Sequence, residues 1–471
     1  MKKFIQRLFG FSLGPILGAL ISFIQVPIIT HFLSPTEYGK AELFQSLMIQ
    51  LPNFIYIGMD QAYTREYHRI NKKWNLAQNA TLVPMIVGLL MCVLFISFDR
   101  QISMYLFESP DYVYIVWYSG IWLLASIVER FLLLAIRMEE KAKEYSAFNL
   151  LLKITVFIVT MIFIWSGMRD FRSVVYGLIW GQILGDLILF LRYRQFFDFS
   201  QFYLDKDLVN RMLKFGLPLM LAVSLTSALQ AIDNIFINEY NTKADIAIYG
   251  SARKVANVLG IMRTAFTSFW VPTAYRWYEE NKSMVHYKYI SDALLFFLTG
   301  VFFAILLCKS WIVKILGPAY HDGMYIMGLL CFPHIMYTLS ETTTLGISFS
   351  RKTHLNIYVS IATFIPSILL NYFLTPIYGF RGAAIASSVS YIMFYLARTY
   401  FSSQTGFYFG QKKQILSIMV MMFASCLNLF DMPGVTIWTF LLGLLCLVIQ
   451  SSTLKTSYDI YQSRDGSWDF S

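Results

Sequence analysis

Charge is scarce in this chain. Asp, Glu, Lys and Arg make up 14% of its 471 residues, hydrophobic residues make up 57%, and mean hydropathy is +0.55. A soluble core of this length does not need that much apolar surface, so a water-soluble class is excluded. The five cysteines (Cys92, Cys308, Cys331, Cys426 and Cys446) lie in apolar runs with no pairing or metal-ligand spacing, and read as small core hydrophobes. The six histidines are equally dispersed. No Walker A loop, GxGxxG turn or HExxH pair occurs. No polar connection is long enough for a soluble catalytic or nucleotide-binding domain. The expectation is a protein that is not an enzyme, holds no metal or cofactor, and does not hydrolyse ATP for its own work.

What the chain does have is long apolar stretches. Each crossing of a bilayer needs about 20 mostly apolar residues, and only helices or closed barrels satisfy their own backbone there. The stretches lack the alternation of barrel strands, so the fold class is an all-α integral membrane protein. Fourteen spans are predicted: 11–33, 41–60, 79–98, 112–134, 146–166, 172–192, 212–237, 246–272, 290–314, 323–348, 355–376, 382–402, 414–430 and 434–453. Spans 2, 8 and 10 are the most polar. Lys2, Lys3 and Arg7 precede span 1 as in a signal peptide, but no small-residue cleavage site follows, and it reads as an uncleaved span.

The charges orient these spans. With the N-terminus inside, the inward segments hold twenty-five Lys and Arg, from Lys2 to Arg464 and including Arg351 and Arg398. The outward segments hold eight: Lys40, Arg100, Arg169, Arg172, Lys243, Lys309, Lys314 and Arg381. That bias places both termini in the cytoplasm. It also accounts for the net charge of +10 without a nucleic-acid partner.

The inward connection around 193–211 divides the first twelve spans into two sets of six. The predicted domains are an N-terminal lobe 1–193, a linker 194–211, a C-terminal lobe 212–405, and residues 406–471 as two extra helices and a tail. The lobes would be pseudo-twofold repeats around a central cavity. Asp170-Phe171-Arg172 parallels Gly379-Phe380-Arg381, and at the same offset Ser173, Gly177 and Gly181 fall on Gly382, Ala386 and Ser390. Both are small residues four apart, a spacing that lets helices approach closely in lipid. Spans 13 and 14 read as lipid-facing additions.

Polar residues inside spans mark candidate sites. Span 8 gathers Arg253, Asn257, Gly260, Arg263, Thr264, Thr267 and Ser268 within about 80° of one direction, with Lys254 on the flank. Span 2 carries a stripe of Glu42, Ser46, Asn53 and Asp60, and span 7 one of Thr226, Gln230 and Asp233. These faces are expected to line the cavity together with Glu341, and Asp186 is a further candidate. Asp233 would pair with a span 8 cation or bind a coupling ion. Glu129, Arg130 and Lys153 read as snorkelling groups near cytoplasmic span ends.

Three segments carry a family resemblance: FGFSLGPILGALISFIQVPIITHFLSPTEYGKAELF, LQAIDNIFINEYNTKADIAIYGSARKVANVL and LTPIYGFRGAAIASSVS. The chain resembles the Wzx-type polysaccharide flippase branch of the multidrug/oligosaccharidyl-lipid/polysaccharide (MOP) exporter superfamily. The resemblance implies two six-helix lobes with two helices appended, in the bacterial plasma membrane. It implies that undecaprenyl-diphosphate-linked oligosaccharide repeats are flipped to the outer leaflet by alternating access, for surface polysaccharide assembly. Partners would be the lipid-linked substrate, membrane lipids, other polysaccharide assembly proteins, and a coupling H+ or Na+ held at Asp233 or Asp60. By position in IYGSARK, Arg253 and Lys254 match basic positions of relatives, and Arg, Lys and Asn side chains suit a diphosphate. Span 1 has no basic residue within the membrane, unlike some relatives that move peptidoglycan precursors. The alternatives are a cation-coupled multidrug exporter of the same superfamily and a membrane-embedded glycan polymerase or glycosyltransferase.

Overall fold

The computed structural model describes residues 2–200, 202–350, 352 and 354–463. Arg351 and Arg464, and the side chains of Lys2, Lys3, Arg7 and Ser268, lie outside what is described. The described residues are helical with short connections, and each of the fourteen expected spans falls on a helix or on a helix with one break, except span 10, which has two. Among the described residues, eight helices are long and apolar enough to cross a bilayer alone. Two bent pairs, Pro318–Tyr325 with Met327–Thr343 and Val435–Ile449 with Ser451–Ile460, raise this to ten.

The chain divides into two compact units, residues 2–235 and 236–471. The first holds α1 (Lys2–Phe32), α2 (Pro35–Ile55), α3 (Met59–Glu66), α4 (Lys73–Ser97), α5 (Asp99–Phe107), α6 (Val113–Met138), α7 (Ala142–Trp165), α8 (Phe171–Arg192) and most of α9 (Lys206–Tyr240). The expected span 2 is two helices here. Ile57 and Gly58 adopt left-handed φ values of 49° and 68°, which ends α2 and starts α3 in a new direction. A Cβ on Gly58 would stand 2.3 Å from the carbonyl oxygen of Gly216, so the turn needs glycine for backbone freedom and for space.

Close helix packing follows the small residues. On α1, Gly14 donates its N–H to Ser146 Oγ (3.2 Å), and Gln25 Nε2 donates to Thr160 Oγ1 (3.4 Å), so that face lies on α7. Gly177 and Gly181 bring α8 close onto α7, with Cβ positions 1.8 Å from Thr160 Oγ1 and 2.6 Å from Val156 Cα. The connection before α9 is tied to the polar start of α4. Gln78 Nε2 donates to the Phe196 and Asp198 carbonyls, and the buried Asn79 bonds the Tyr203 carbonyl and the Asp205 N–H. Asp205 then caps α9 through Leu208 N–H, which is why that helix begins before residue 212.

The second unit holds the end of α9, α10 (Lys243–Ala256), α11 (Val258–Glu279), α12 (Met284–Leu316), α13 (Met327–Thr343), α14 (Leu345–Phe349), α15 (Leu355–Tyr378), α16 (Phe380–Ser403), α17 (Lys412–Leu427), α18 (Val435–Ile449) and α19 (Ser451–Ser463). A capping box between Thr242 and Asp245 starts α10. Gly382 repeats the role of the α8 glycines, with its Cβ position 2.2 Å from the Leu374 carbonyl oxygen of α15.

The last helices, expected as lipid-facing additions, also make polar contacts with α12. Lys309 Nζ on α12, counted by sequence with the outward charges, is buried and donates to Asn428 Oδ1 (2.6 Å), whose Nδ2 reaches Thr439 Oγ1 (2.8 Å). Gln450 Nε2 bonds Thr299 and Ser417, and Lys413 and Gln414 both donate to Asp292. One side of α17 and α18 is therefore fastened to α12 by polar contacts. Exposed Met419, Phe423, Trp438 and Leu441 cover their other side.

The glycine contacts are directly testable. Gly181→Ala and Gly382→Ala are each expected to destabilise the protein by about 1–3 kcal/mol through overpacking, seen as a lower thermal midpoint in detergent. Gly300→Ala, whose added methyl meets nothing within 4 Å, is expected to leave the midpoint unchanged or raised.

Candidate functional site

The polar stripe expected on span 8 is carried by α10 and α11, which meet at Asn257. Asn257 Oδ1 lies 2.9 Å from His334 Nε2 on α13, and Gly260, one turn on, leaves room for the same imidazole ring. Trp270 Nε1, further along α11, donates to the Glu341 carbonyl (3.2 Å) and seats α11 against α13.

On that seam the Arg263 guanidinium lies over the Tyr337 ring, 4.6 Å from its centroid. Arg398 of α16 lies 5.0 Å from the same ring and 4.8 Å from Phe394, which stacks on Tyr337. Arg398 Nη1 also donates to Glu341 Oε1 (2.6 Å) and Ser340 Oγ (2.9 Å). The two side chains of that ion pair are only 15% and 12% exposed. Among the described residues Arg263 has the Tyr337 face and no carboxylate partner. Arg253, half-buried over the Tyr249 ring at 5.7 Å, and Lys254 lie on α10, about 15 Å along the helical path from Arg263.

Apart from Glu341 and Asn257, the acidic and amide candidates sit in the first unit. Gln50 Nε2 of α2 donates to Gln230 Oε1 of α9 (2.9 Å), and Asn53 Nδ2 to Gln50 Oε1 (3.4 Å), so these two stripes do meet. Glu42 and Asp233 are buried, at 3% and 4% exposure. Asp60 leaves the stripe because of the break before α3, and its Oδ2 pairs with Arg130 Nη2 at 2.7 Å, with the Tyr56 ring below the guanidinium. Glu129 Oε2 accepts from Gln182 Nε2 at 2.6 Å. Specific partners thus replace the snorkelling expected for Glu129 and Arg130. Asp186 is fully buried, and so is no cavity-lining group.

The sequence reading did not pick out Arg398, His334 and Tyr337 in the second unit, or Gln182 in the first. Arg398 was counted as an inward loop charge because it stands at a span end. The period of α16, with Phe394 and Arg398 four apart on one face, was the available signal.

A family model described as "Polysaccharide biosynthesis protein" matches residues 5–277. No curated protein sequence matches. Similar solved structures include the lipid II flippase MurJ in an inward closed conformation, with a TM-score of 0.69 and 16% identity over 95% of this chain and 99% of that one. An inward-facing multidrug resistance MATE family transporter of the MOP superfamily has a TM-score of 0.61 and 17% identity, covering 83% and 95% of the two chains. A MOP superfamily transporter from Pyrococcus furiosus, described by the reverse polarity of its binding pocket, has a TM-score of 0.56 and 15% identity over 85% and 96%. The fold is therefore the one these structures share, and its several long apolar helices fit a multi-pass membrane protein.

The Glu341–Arg398 pair tests the geometry of the seam. Glu341→Gln leaves a largely buried guanidinium without its counter-ion and is expected to destabilise by about 3 kcal/mol or more. The double variant Glu341→Gln/Arg398→Gln is expected to recover a substantial part, measured as a double-mutant cycle of unfolding in detergent.

Proposed function

We propose that this chain, which belongs to the polysaccharide biosynthesis protein family, flips undecaprenyl-diphosphate-linked oligosaccharide repeats from the cytoplasmic to the outer leaflet of a bacterial plasma membrane by alternating access. It acts as a transporter and not as an enzyme, with both termini in the cytoplasm.

The observation that carries this reading is the Arg263 guanidinium on Tyr337. It is a half-buried cation with no carboxylate partner among the described residues. Arg is the side chain suited to bind phosphate oxygens in such a place, because its planar fork offers paired donors and stays charged. The Tyr337 ring face lies beside the guanidinium. Asn257, bonded to His334, adds an amide, and Arg253 and Lys254 extend the cationic path along α10. A diphosphate headgroup, carrying negative charge on successive phosphates, matches this face. Arg398 belongs to the scaffold, since its charge is matched by Glu341.

A strain lacking the gene is expected to accumulate undecaprenyl-linked glycan repeats on the cytoplasmic leaflet, read by enzymatic accessibility in sealed inverted vesicles. Wild type should relieve the accumulation, and Arg253→Ala/Arg263→Ala, expressed at the same level, should not. Absence of accumulation, with altered drug resistance instead, would overturn the substrate assignment. Full rescue by the double variant would remove the proposed headgroup site.

A further inference from the structure

A cavity in the first unit lies apart from every residue proposed to meet the headgroup. Its volume is about 580 Å³, within the range of small-molecule sites. Its walls are the start of α4 with Lys72 and Lys73, Glu139 just after α6, and Gln195 and Asp198 just after α8. All three helices are candidate membrane spans, so the cavity stands where three spans end together. The 25 residues of α4 rise about 37 Å against about 30 Å of hydrocarbon, which puts its first turn at headgroup level. With both termini inside, as proposed above, this end faces the cytoplasm.

Hydrogen bonds hold these walls in place. Trp74 Nε1 donates to Gln195 Oε1 (3.1 Å), and Asn75 Nδ2 donates to the Tyr203 carbonyl (3.2 Å). The Gln78 bonds to the Phe196 and Asp198 carbonyls fasten the same connection to α4. The charges around the cavity are unequal. Glu139 is matched, since its Oε2 takes Lys141 Nζ at 2.6 Å. Lys72 lies over the Tyr203 ring, 5.3 Å from its centroid. Lys73 lies over the Tyr67 ring at 4.2 Å and donates to the Tyr67 carbonyl. Neither lysine has a carboxylate partner among the described residues. Two ammonium groups therefore remain against the exposed carboxylate of Asp198, which accepts from Ser200 N–H. The cavity is net cationic.

We propose that this cavity binds the phosphate headgroup of an anionic diacyl lipid of the adjoining leaflet, with Lys72 and Lys73 meeting the phosphate oxygens. A lipid is favoured over a soluble phosphate by the surface beside the cavity. Phe197, Phe199, Tyr203 and Leu204 of the α8–α9 connection are all exposed. Exposed aromatic and apolar side chains next to a cationic pocket at a span end suit the membrane interface. Ile86, Leu89 and Leu90, further along α4, are exposed as well and offer apolar surface to the acyl chains. The α8–α9 connection leads into α9, on which the chain passes from the first unit to the second. A lipid held there acts on the segment that links the units. The site rests on the membrane-protein reading and not on the substrate assigned above.

The test is native mass spectrometry of the full-length protein, delipidated in detergent and then given equal amounts of phosphatidylglycerol and phosphatidylcholine with matched acyl chains. Wild type is expected to retain phosphatidylglycerol preferentially, by roughly fivefold for each lysine engaged. Lys72→Gln/Lys73→Gln should lose that preference. Arg194→Gln, which removes an exposed cation of the same connection outside the cavity, should keep it. If the double variant does not fold, Lys72→Gln decides, since that exposed side chain meets only the Tyr203 ring among the described residues. Equal retention of the two lipids, a preference untouched by the lysine substitutions, or one lost equally in Arg194→Gln would overturn the proposal. Displacement of phosphatidylglycerol by millimolar inorganic phosphate would also overturn it, giving the cavity to a soluble phosphate. No glycan lipid enters this measurement, so failure of the flippase reading would leave its result standing.

Discussion

Any polar group carried into hydrocarbon must find a partner there, because water is absent and the protein has to supply one. Each unit of this chain is arranged around that requirement. Arg130 meets Asp60, Arg398 meets Glu341, Lys309 meets Asn428, and Lys413 meets Asp292. Each contact joins two helices, so pairing the charges also fixes which helices lie side by side. Apolar packing alone would not be as selective, since lipid tails compete with Leu and Ile for the same surfaces. The glycine approaches of α8 onto α7, and of α16 onto α15, then set how closely those helices lie.

Against that background Arg263 stands out, with a ring face where its counterparts have a carboxylate. It is the cation proposed above to meet an anionic headgroup. The family match and the fold are consistent with that reading and do not assign a substrate to this chain.

Much of the architecture was legible in the sequence because its cause is local. A run of apolar residues long enough to cross a bilayer reads as a helix whatever surrounds it, so spans such as 79–98 and 382–402 fall close to α4 and α16. The α8 glycines and Gly382 were legible as close-packing positions for the same reason. The break before α3 was not, since Gly58 is required by the Gly216 carbonyl, far away in the chain. The partners of Arg130 and Glu129 were equally hidden. Charges near a span end look like snorkelling groups until the helix facing them is known, and Asp60 and Gln182 lie on other helices. Lys309 was counted with the outward charges although it lies inside expected span 9, and its partner Asn428, far along the chain, was hidden from the sequence. The cationic stripe of α10 and α11 was visible by periodicity, but the ring that holds Arg263 comes from α13, which no local pattern connects to it.

The central claim is that Arg263 provides an anion site. The direct measurement is the affinity of the purified full-length protein, in detergent, for undecaprenyl diphosphate and for undecaprenol, with wild type and Arg263→Gln side by side. The account expects the diphosphate lipid to bind wild type at least tenfold tighter than the alcohol, with most of that preference lost in Arg263→Gln. Equal binding of the two lipids, or a preference untouched by the substitution, would contradict it.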